Sequence, residues 1–272
     1  MPISSWLSFS VTLSRLATLA LLALLTDAGV SWAYRDGGCF APPPPSVFGG
    51  VGLPARDAGH AMAIARRLGL GTRSCWDPNE WWVEGVQLGP TVLSWHIHGF
   101  GSPVLGLPTT GVTPLLHPMV DRGCPWYAPM TAEQPAGARQ VTRAIAVVSD
   151  LEATCDAEVY SGTWPRHHLT FGPPFEIPWL GARAREVRLA HGALRVIEPV
   201  HPNGIAARWL AAGGPRWLGV TIEVEDLARA ALVLEGRGVP ILRGSDGGRP
   251  LLVVEPEEAG GTLVEFVASS PF

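Results

Sequence analysis

The chain has 272 residues and a formal net charge of −4, from 20 basic and 24 acidic side chains. Every basic residue is arginine, and a mildly acidic chain without lysine argues against nucleic acid or an anionic membrane as the main partner. Glycine and proline, with 32 and 26 residues, exceed their usual share but fall short of a wholly disordered composition. Collagen, coiled-coil and disulfide-knot classes are excluded, and the length suits one large domain or two small ones.

The N-terminal segment has the form of a signal peptide. The apolar run Leu16–Leu25 follows Arg15, and Ser31-Trp32-Ala33 has the small-x-small form of a cleavage site. The run is too short to span a bilayer as a helix. Export would place the four cysteines in an oxidising compartment, where three pairings are open: Cys39, Cys75, Cys124 and Cys155.

The composition changes near Met130. Residues 1–129 hold 14 charged side chains and residues 130–272 hold 30. In the first part only Ala61–Leu68, ended by Gly69, predicts a helix, and no sustained strand period is found. A second hypothesis therefore competes with export, in which translation begins near Met130 and the preceding residues are not native. That start predicts a cytoplasmic protein, whereas a genuine signal segment predicts a secreted one.

These observations divide the chain into three parts. Residues 1–33 are signal-peptide-like or non-native, and residues 34–135 are rich in proline, glycine and tryptophan, with no fold assigned. Residues 136–272 are patterned as a folded domain.

The patterned domain contains a duplicated unit. Ala144–Val148 is a buried-strand run, and Ser149-Asp150-Leu151-Glu152 has the form of a capping box that opens a helix toward Tyr160. The arrangement returns 76 residues later, with a strand at Val220–Val224 followed by Glu225-Asp226-Leu227 and a second helix.

Short strand candidates follow each helix, so the unit is β-α-β-β-β and is used twice. They are Val187–Leu189 and Leu194–Ile197 in the first module, about residues 140–200, and Leu251–Val254 and Leu263–Val267 in the second, about residues 216–268. The predicted fold class is α+β, with paired βαβββ modules forming a curved mixed sheet around a cleft.

Over about residues 138–268 this pattern resembles the vicinal oxygen chelate superfamily, which includes glyoxalases, bleomycin-resistance proteins and dihydroxybiphenyl dioxygenases. The segments that carry the resemblance are AIAVVSDLEA, GVTIEVEDLARAALVLEGRGVPI and VVEPEEAGGTLVEFV. The linker and second module, from NGIAARWLAAGGPRWLGVTIEV onward, are most similar to methylmalonyl-CoA epimerase-type members. The resemblance implies a small-molecule ligand in the cleft between the modules, and a homodimer.

The resemblance also implies four metal-ligand positions, which fall on Arg143, Arg195, Gly219 and Glu265. Only Glu265 keeps a ligating side chain, since arginine is permanently charged and has no lone pair to donate. A register slip toward Glu198 would need a β-bulge, because Glu198 points to the other sheet face from Arg195. We therefore expect no cofactor; the alternative is a divalent Zn, Mn, Fe, Co or Ni ion with Glu265 as one ligand.

With the metal position lost, Arg143, Arg195 and Thr221 are predicted to bind a ligand in the cleft. The planar fork of arginine suits carboxylate or phosphate, so the predicted ligand is a small anionic organic molecule. An Arg–Glu pair that only stabilises the fold accounts for the same residues equally well. No nucleic acid is expected as a partner, and no membrane for the mature domain.

Three other functions stay open. A metal-dependent lyase, epimerase or dioxygenase would use Glu265 as a metal ligand. A metal-free isomerase would use Glu265 or Glu223 as its base, with Arg143 stabilising developing negative charge. Glu223 lies two residues from Thr221 and shares its strand face. A drug-sequestering protein would need neither metal nor catalysis.

Overall fold

The computed structural model describes residues 50–72, 84–96, 107, 113–115, 133–156, 169–189 and 191–269. The signal-like segment, Met130 and Tyr160 lie outside these ranges, so the predictions of export and of a start near Met130 stay predictions. No helix within the described ranges is long and apolar enough to cross a bilayer.

The eight-stranded sheet confirms the predicted fold class. Its first module contains β5 (Ala138–Val147), helix α2 (Leu151–Asp156), β6 (Phe175–Ile177), β7 (Ala182–Leu189) and β8 (Gly192–Pro199), and α3 (Ile205–Gly213) links it to the second. The second module contains β9 (Arg216–Val224), α4 (Leu227–Gly236), β10 (Leu242–Asp246), β11 (Arg249–Val254) and β12 (Leu263–Ala268). The strand order is β10-β11-β12-β9-β5-β8-β7-β6, so the two modules meet where β5 and β9 pair.

The two faces of this sheet carry different clusters of apolar side chains. On one face, which we call the helix face, Ala144, Leu194 and Val264 pack with residues of α2 and α4. On the other, the cleft face, Ile145 and Ile197 pack with a second set of buried residues. Because strand side chains alternate between faces, each of these strands contributes to both clusters.

An aspartate side chain caps the helix that follows the first strand of each module. Asp150 Oδ1 accepts a hydrogen bond of 2.9 Å from the Ala153 amide, and Asp226 Oδ1 accepts one of 2.8 Å from the Ala228 amide. The predicted capping box at Ser149 is therefore wrong by one residue, because Asp150 performs the capping and Glu152 instead binds Arg185 at 2.7 Å.

A smaller sheet precedes the two modules. It contains β1 (Gly50–Pro54), β2 (Glu84–Leu88), β3 (Thr91–His96) and β4 (Thr113–Leu115), in the order β2-β3-β1-β4, with α1 (Ala58–Arg67) after β1. The sequence predicted the helix but not the strands, since short strands with glycine and proline carry little alternation.

The smaller sheet repeats the strand, helix and closing hairpin of a module. Val51 pairs with Leu93 across parallel β1 and β3, as Ala144 pairs with Leu194 and Val220 with Val264 in the two modules. Six residues after the first member of each pair comes the capping aspartate, Asp57, Asp150 or Asp226. Residues 50–96 thus contain a third copy of this arrangement.

The two sheets share one core. Leu53, Leu93 and Trp95 of the smaller sheet belong to the cluster on the helix face of the larger one. At the β2–β3 turn, the Thr91 hydroxyl accepts a hydrogen bond of 3.1 Å from the Val141 amide. Because Thr91 is fully buried, this bond joins the sheets without access of water.

Candidate functional site

A β-bulge directs Arg143 onto the cleft face. Val141 pairs with Ile222 and Arg143 pairs with Thr221, so β5 contains one more residue than β9 between these two pairs. Val141 and Ala144 consequently both face the helices although they lie three residues apart. Without the extra residue, the period of two would turn Arg143 toward the helix-face core.

Arg143 and Arg195 meet on the cleft face and share two carboxylates. Glu186 Oε2 lies 2.9 Å from Arg143 Nε and 2.8 Å from Arg195 NH2. Asp246 Oδ2 lies 3.1 Å from Arg143 NH2 and 3.0 Å from Arg195 NH2. Two guanidinium nitrogens therefore converge on one oxygen of Asp246, an arrangement that suits an oxyanion.

Glu265 and Thr221 complete this group, which we call the cleft cluster. Thr221 Oγ1 donates a hydrogen bond of 2.7 Å to Glu265 Oε2 and accepts one of 3.3 Å from Arg143 NH1. Arg143 NH1 also lies 3.6 Å from Glu265 Oε2. The predicted residues Arg143, Arg195, Thr221 and Glu265 are thus brought together.

The cluster is largely buried and carries more acid than base. Its two guanidiniums and three carboxylates give a formal charge of −1. The side chains of Glu265 and Arg195 are 2% and 6% exposed, whereas that of Asp246 is 18% exposed. Burial alone would raise the pKa of Asp246, but Arg195 and Arg143 outweigh it and hold this pKa below its usual 3.8.

The pKa of Arg195 is also set by burial and by its charged neighbours, which act in opposite directions. Burial disfavours its charge, but Glu186, Asp246 and Glu265 together raise its pKa above the usual value. Its guanidinium carbon also lies 5.1 Å from the centre of the Phe175 ring, within range of a cation–π contact. Arg195 therefore stays charged near neutral pH.

At Gly219, one of the four implied metal-ligand positions, the second module offers no side chain. A Cβ added at Gly219 would collide with the carbonyl oxygen of Leu263, which pairs with Gly219 across β9 and β12. Within the described ranges, no group of three or more His, Cys, Asp and Glu side chains is placed to hold a metal ion.

Two other glutamates considered from the sequence lie outside the cleft cluster. Glu223 accepts hydrogen bonds from Ser269 Oγ at 2.8 Å and from Gln140 Nε2 at 3.4 Å. Glu198 pairs with Arg183, its cross-strand neighbour on β7. The structure therefore does not bring Glu223, the proposed base, to Arg143.

Sequence reasoning missed Glu186 and Asp246. Glu186 stands directly opposite Arg195 in the β7–β8 hairpin. Their spacing on either side of the Leu189–Gly192 turn could therefore have predicted this ion pair from the sequence. Asp246 lies near Arg143 because the sheet curves, which brings the edge strand β10 toward β5 and β8. No local pattern in the sequence reports that contact.

Other apolar groups occupy the cleft face around the cluster. Ala206 and Trp209 of α3 pack there with Ile145. The indole nitrogens of Trp179 and Trp209 are buried and have no hydrogen-bond acceptor among the described residues. A cavity of about 520 Å³ lies beside β6 and is lined in part by Phe175, the ring that contacts Arg195.

The strand order and the paired modules are those expected from the sequence resemblance. Residues 138–268 have the paired βαβββ architecture that the resemblance to the vicinal oxygen chelate superfamily implies. Its cleft lies between the two modules, where Arg143 and Arg195 of the first meet Asp246 and Glu265 of the second.

Comparison with known proteins gives matches among solved structures. A variant of the Streptomyces coelicolor methylmalonyl-CoA epimerase, in complex with 2-nitronate-propionyl-CoA, is 20% identical with a TM-score of 0.42, over 49% of this chain and 99% of that chain. The Mycobacterium tuberculosis methylmalonyl-CoA epimerase is 18% identical with a TM-score of 0.43, over 52% and 94%. A hypothetical protein of Bacillus halodurans is 15% identical with a TM-score of 0.42, over 49% and 96%. No protein-family model matches the chain, and no curated protein does.

Proposed function

We propose that the cleft binds a small organic molecule through a carboxylate group, held by Arg143 and Arg195 without a divalent metal. The observation that carries this proposal is the convergence of two guanidinium nitrogens on a single oxygen, Asp246 Oδ2, at 3.1 and 3.0 Å. A ligand carboxylate placed there would receive two charge-assisted hydrogen bonds in a largely desolvated site.

The donor set argues against a metal. Of the four implied ligand positions, two are arginines, whose charge repels a cation, and Gly219 has no room for a side chain. Glu265 is the remaining ligand, and it already accepts a hydrogen bond from Thr221. We therefore place the metal-dependent lyase, epimerase and dioxygenase activities behind metal-free binding.

Trp179 gives the proposal a second support. Its indole N–H is buried without an acceptor among the described residues, and its ring packs where a Cβ on Gly244 of β10 would lie. Gly244 and Asp246 are two residues apart on one strand and share a face. A ligand with an acceptor beside its carboxylate would satisfy this donor.

The test compares malonate with its neutral analogue malonamide at matched ionic strength. We expect malonate at millimolar concentration to raise the melting temperature of the full chain, because a ligand that binds only the folded state stabilises it. Malonamide and chloride are expected to have no such effect.

Two variants test the site of binding. Arg143→Met should abolish the malonate shift, whereas Arg183→Met, whose partner Glu198 lies outside the cluster, should keep it. Equal shifts with malonate and malonamide, or a shift that survives in Arg143→Met, would contradict the proposal. Stoichiometric Zn or Mn retained after dialysis, and lost in Glu265→Gln, would favour the metal-dependent alternative.

A further inference from the structure

We infer that Asp246 is an internal competitor for the ligand: its carboxylate occupies the anion position between Arg143 and Arg195, and binding displaces it. This inference rests on the proposed function. It makes Asp246 a specificity-determining residue, since only a ligand group that replaces a carboxylate can enter.

The negative charge of the cleft cluster favours replacement of one of its carboxylates by that of the ligand. The cluster already carries three carboxylates and two guanidiniums, so an added ligand carboxylate would raise its formal charge from −1 to −2. Burying a second uncompensated negative charge is strongly unfavourable. Release of a protein carboxylate to solvent when the ligand arrives avoids this cost.

Of the three carboxylates, Asp246 is held least firmly. Glu265 is 2% exposed and accepts a hydrogen bond from Thr221, and its strand β12 is paired on both sides, with β11 and β9. Glu186 lies on β7 directly opposite Arg195 on β8, and its Oε2 also accepts from Arg195 Nε at 2.9 Å. Asp246 is about as exposed as Glu186, at 18% against 16%, but it alone ends an edge strand.

The hairpin that carries Asp246 leaves room for its release. Gly247 and Gly248 follow it with φ values of +57° and +81°, and a Cβ at either glycine would meet nothing within 4 Å. Across the hairpin, Ser245 pairs with Pro250, which has no amide hydrogen to donate. The end of this hairpin therefore has few contacts to break when Asp246 turns toward solvent.

The experiment measures malonate affinity by calorimetry in the full chain. Asp246→Asn keeps the shape of the side chain and removes its charge, so we expect malonate to bind about tenfold more tightly, the equivalent of one charge-assisted hydrogen bond. Asp156→Asn removes an exposed aspartate that pairs with Arg185 outside the cleft, and should leave the affinity unchanged. Malonamide binding should not respond to either change.

A second substitution guards against a variant that does not fold. Asp246→Ser is smaller, neutral and compatible with an edge strand, and it should give the same direction of change. Glu265→Gln removes one negative charge without vacating the anion position, so it should improve affinity less than Asp246→Asn does. Equal gains in these two variants would show a general charge effect and overturn the competitor role.

The outcomes separate the inference from the function on which it rests. Malonate binding that requires Arg143 and is equally tight in wild type and Asp246→Asn would overturn the inference and leave the proposed function standing. Absence of binding in wild type, Asp246→Asn and Asp246→Ser alike would overturn the proposed function. Binding that appears or strengthens only when Asp246 is replaced supports both.

Discussion

Asp246 stabilises the fold at the same place where it is proposed to oppose the ligand. Its carboxylate compensates two guanidiniums that share a largely buried site. Removal of one partner from such a group leaves charge poorly compensated, which costs stability even when the original group contributed little net energy. A residue of this kind can therefore lower affinity and raise stability together.

Replacement of Asp246 by asparagine should lower the free energy of unfolding by about 2 kcal/mol near neutral pH. The folded-state pKa of Asp246 is lowered, so its contribution is present above the usual value of 3.8 and is lost as pH falls through the folded pKa. Urea unfolding over a pH series should show the wild type and variant converging in acid. A difference that stays constant below pH 3.8 would contradict this assignment.

Gly219 is required by packing, because Leu263 approaches its Cα too closely for any side chain. Gly219→Ala should lower stability by about 2–3 kcal/mol. Gly236→Ala is the matched control, since a Cβ there meets nothing within 4 Å, and should raise stability by roughly 0.5 kcal/mol. Denaturant midpoints measure both, and a neutral effect at Gly219 would show that β9 and β12 can separate.

At the scale of elements, three strand–helix units have the same construction. In each, the first strand of a parallel pair is followed by a helix whose first turn is capped by an aspartate. The cap satisfies a backbone amide that the helix itself leaves unpaired. Because the three caps have the same construction, we expect Asp57, Asp150 and Asp226 to contribute equally to the free energy of unfolding.

Alanine at each capping aspartate should lower the free energy of unfolding by about 1 kcal/mol. Chemical denaturation of the three single variants measures this, with Asp156→Ala as a control that removes an exposed aspartate at a helix end. If Asp57→Ala alone had no effect, α1 would not contribute to the stability of the folded protein.

At the scale of the whole molecule, the shared core couples the smaller sheet to the two modules. Leu93 of β3 is fully buried in the same cluster as Cys155 of α2. Burial also raises the pKa of the Cys155 thiol to about 11, which keeps it protonated and unreactive while the protein is folded. Alkylation of Cys155 therefore reports unfolding of the modules.

Leu93→Ala should destabilise the protein by about 3 kcal/mol and accelerate alkylation of Cys155 at pH 8, because loss of packing in one sheet weakens the whole core. Peptide mapping after iodoacetamide labelling measures this at Cys155 itself. Unchanged labelling in the variant would show that the smaller sheet unfolds independently. The homodimer implied by the resemblance stays a prediction that sedimentation can test.

The sequence alone determined the duplicated module, and the structure brings together four of the five side chains that were expected in the cleft. The resemblance assigned Arg143, Arg195 and Glu265 to the cleft, and strand alternation placed Thr221 and Glu223 on one strand face. Once the metal-ligand positions were assigned, the sequence also showed that Arg143, Arg195 and Gly219 have no ligating side chain, because this depends only on the residue type.

Only the tertiary structure decided which carboxylates compensate the arginines of the cleft. A bulge in β5 turns Arg143 onto the cleft face, and sheet curvature brings Asp246 to within 3.1 Å of it across some hundred residues of sequence. Glu223 stays with Ser269 instead, although it shares a strand with Thr221. Register shifts and sheet curvature arise from contacts summed over the whole sheet, and no local pattern of residues encodes them.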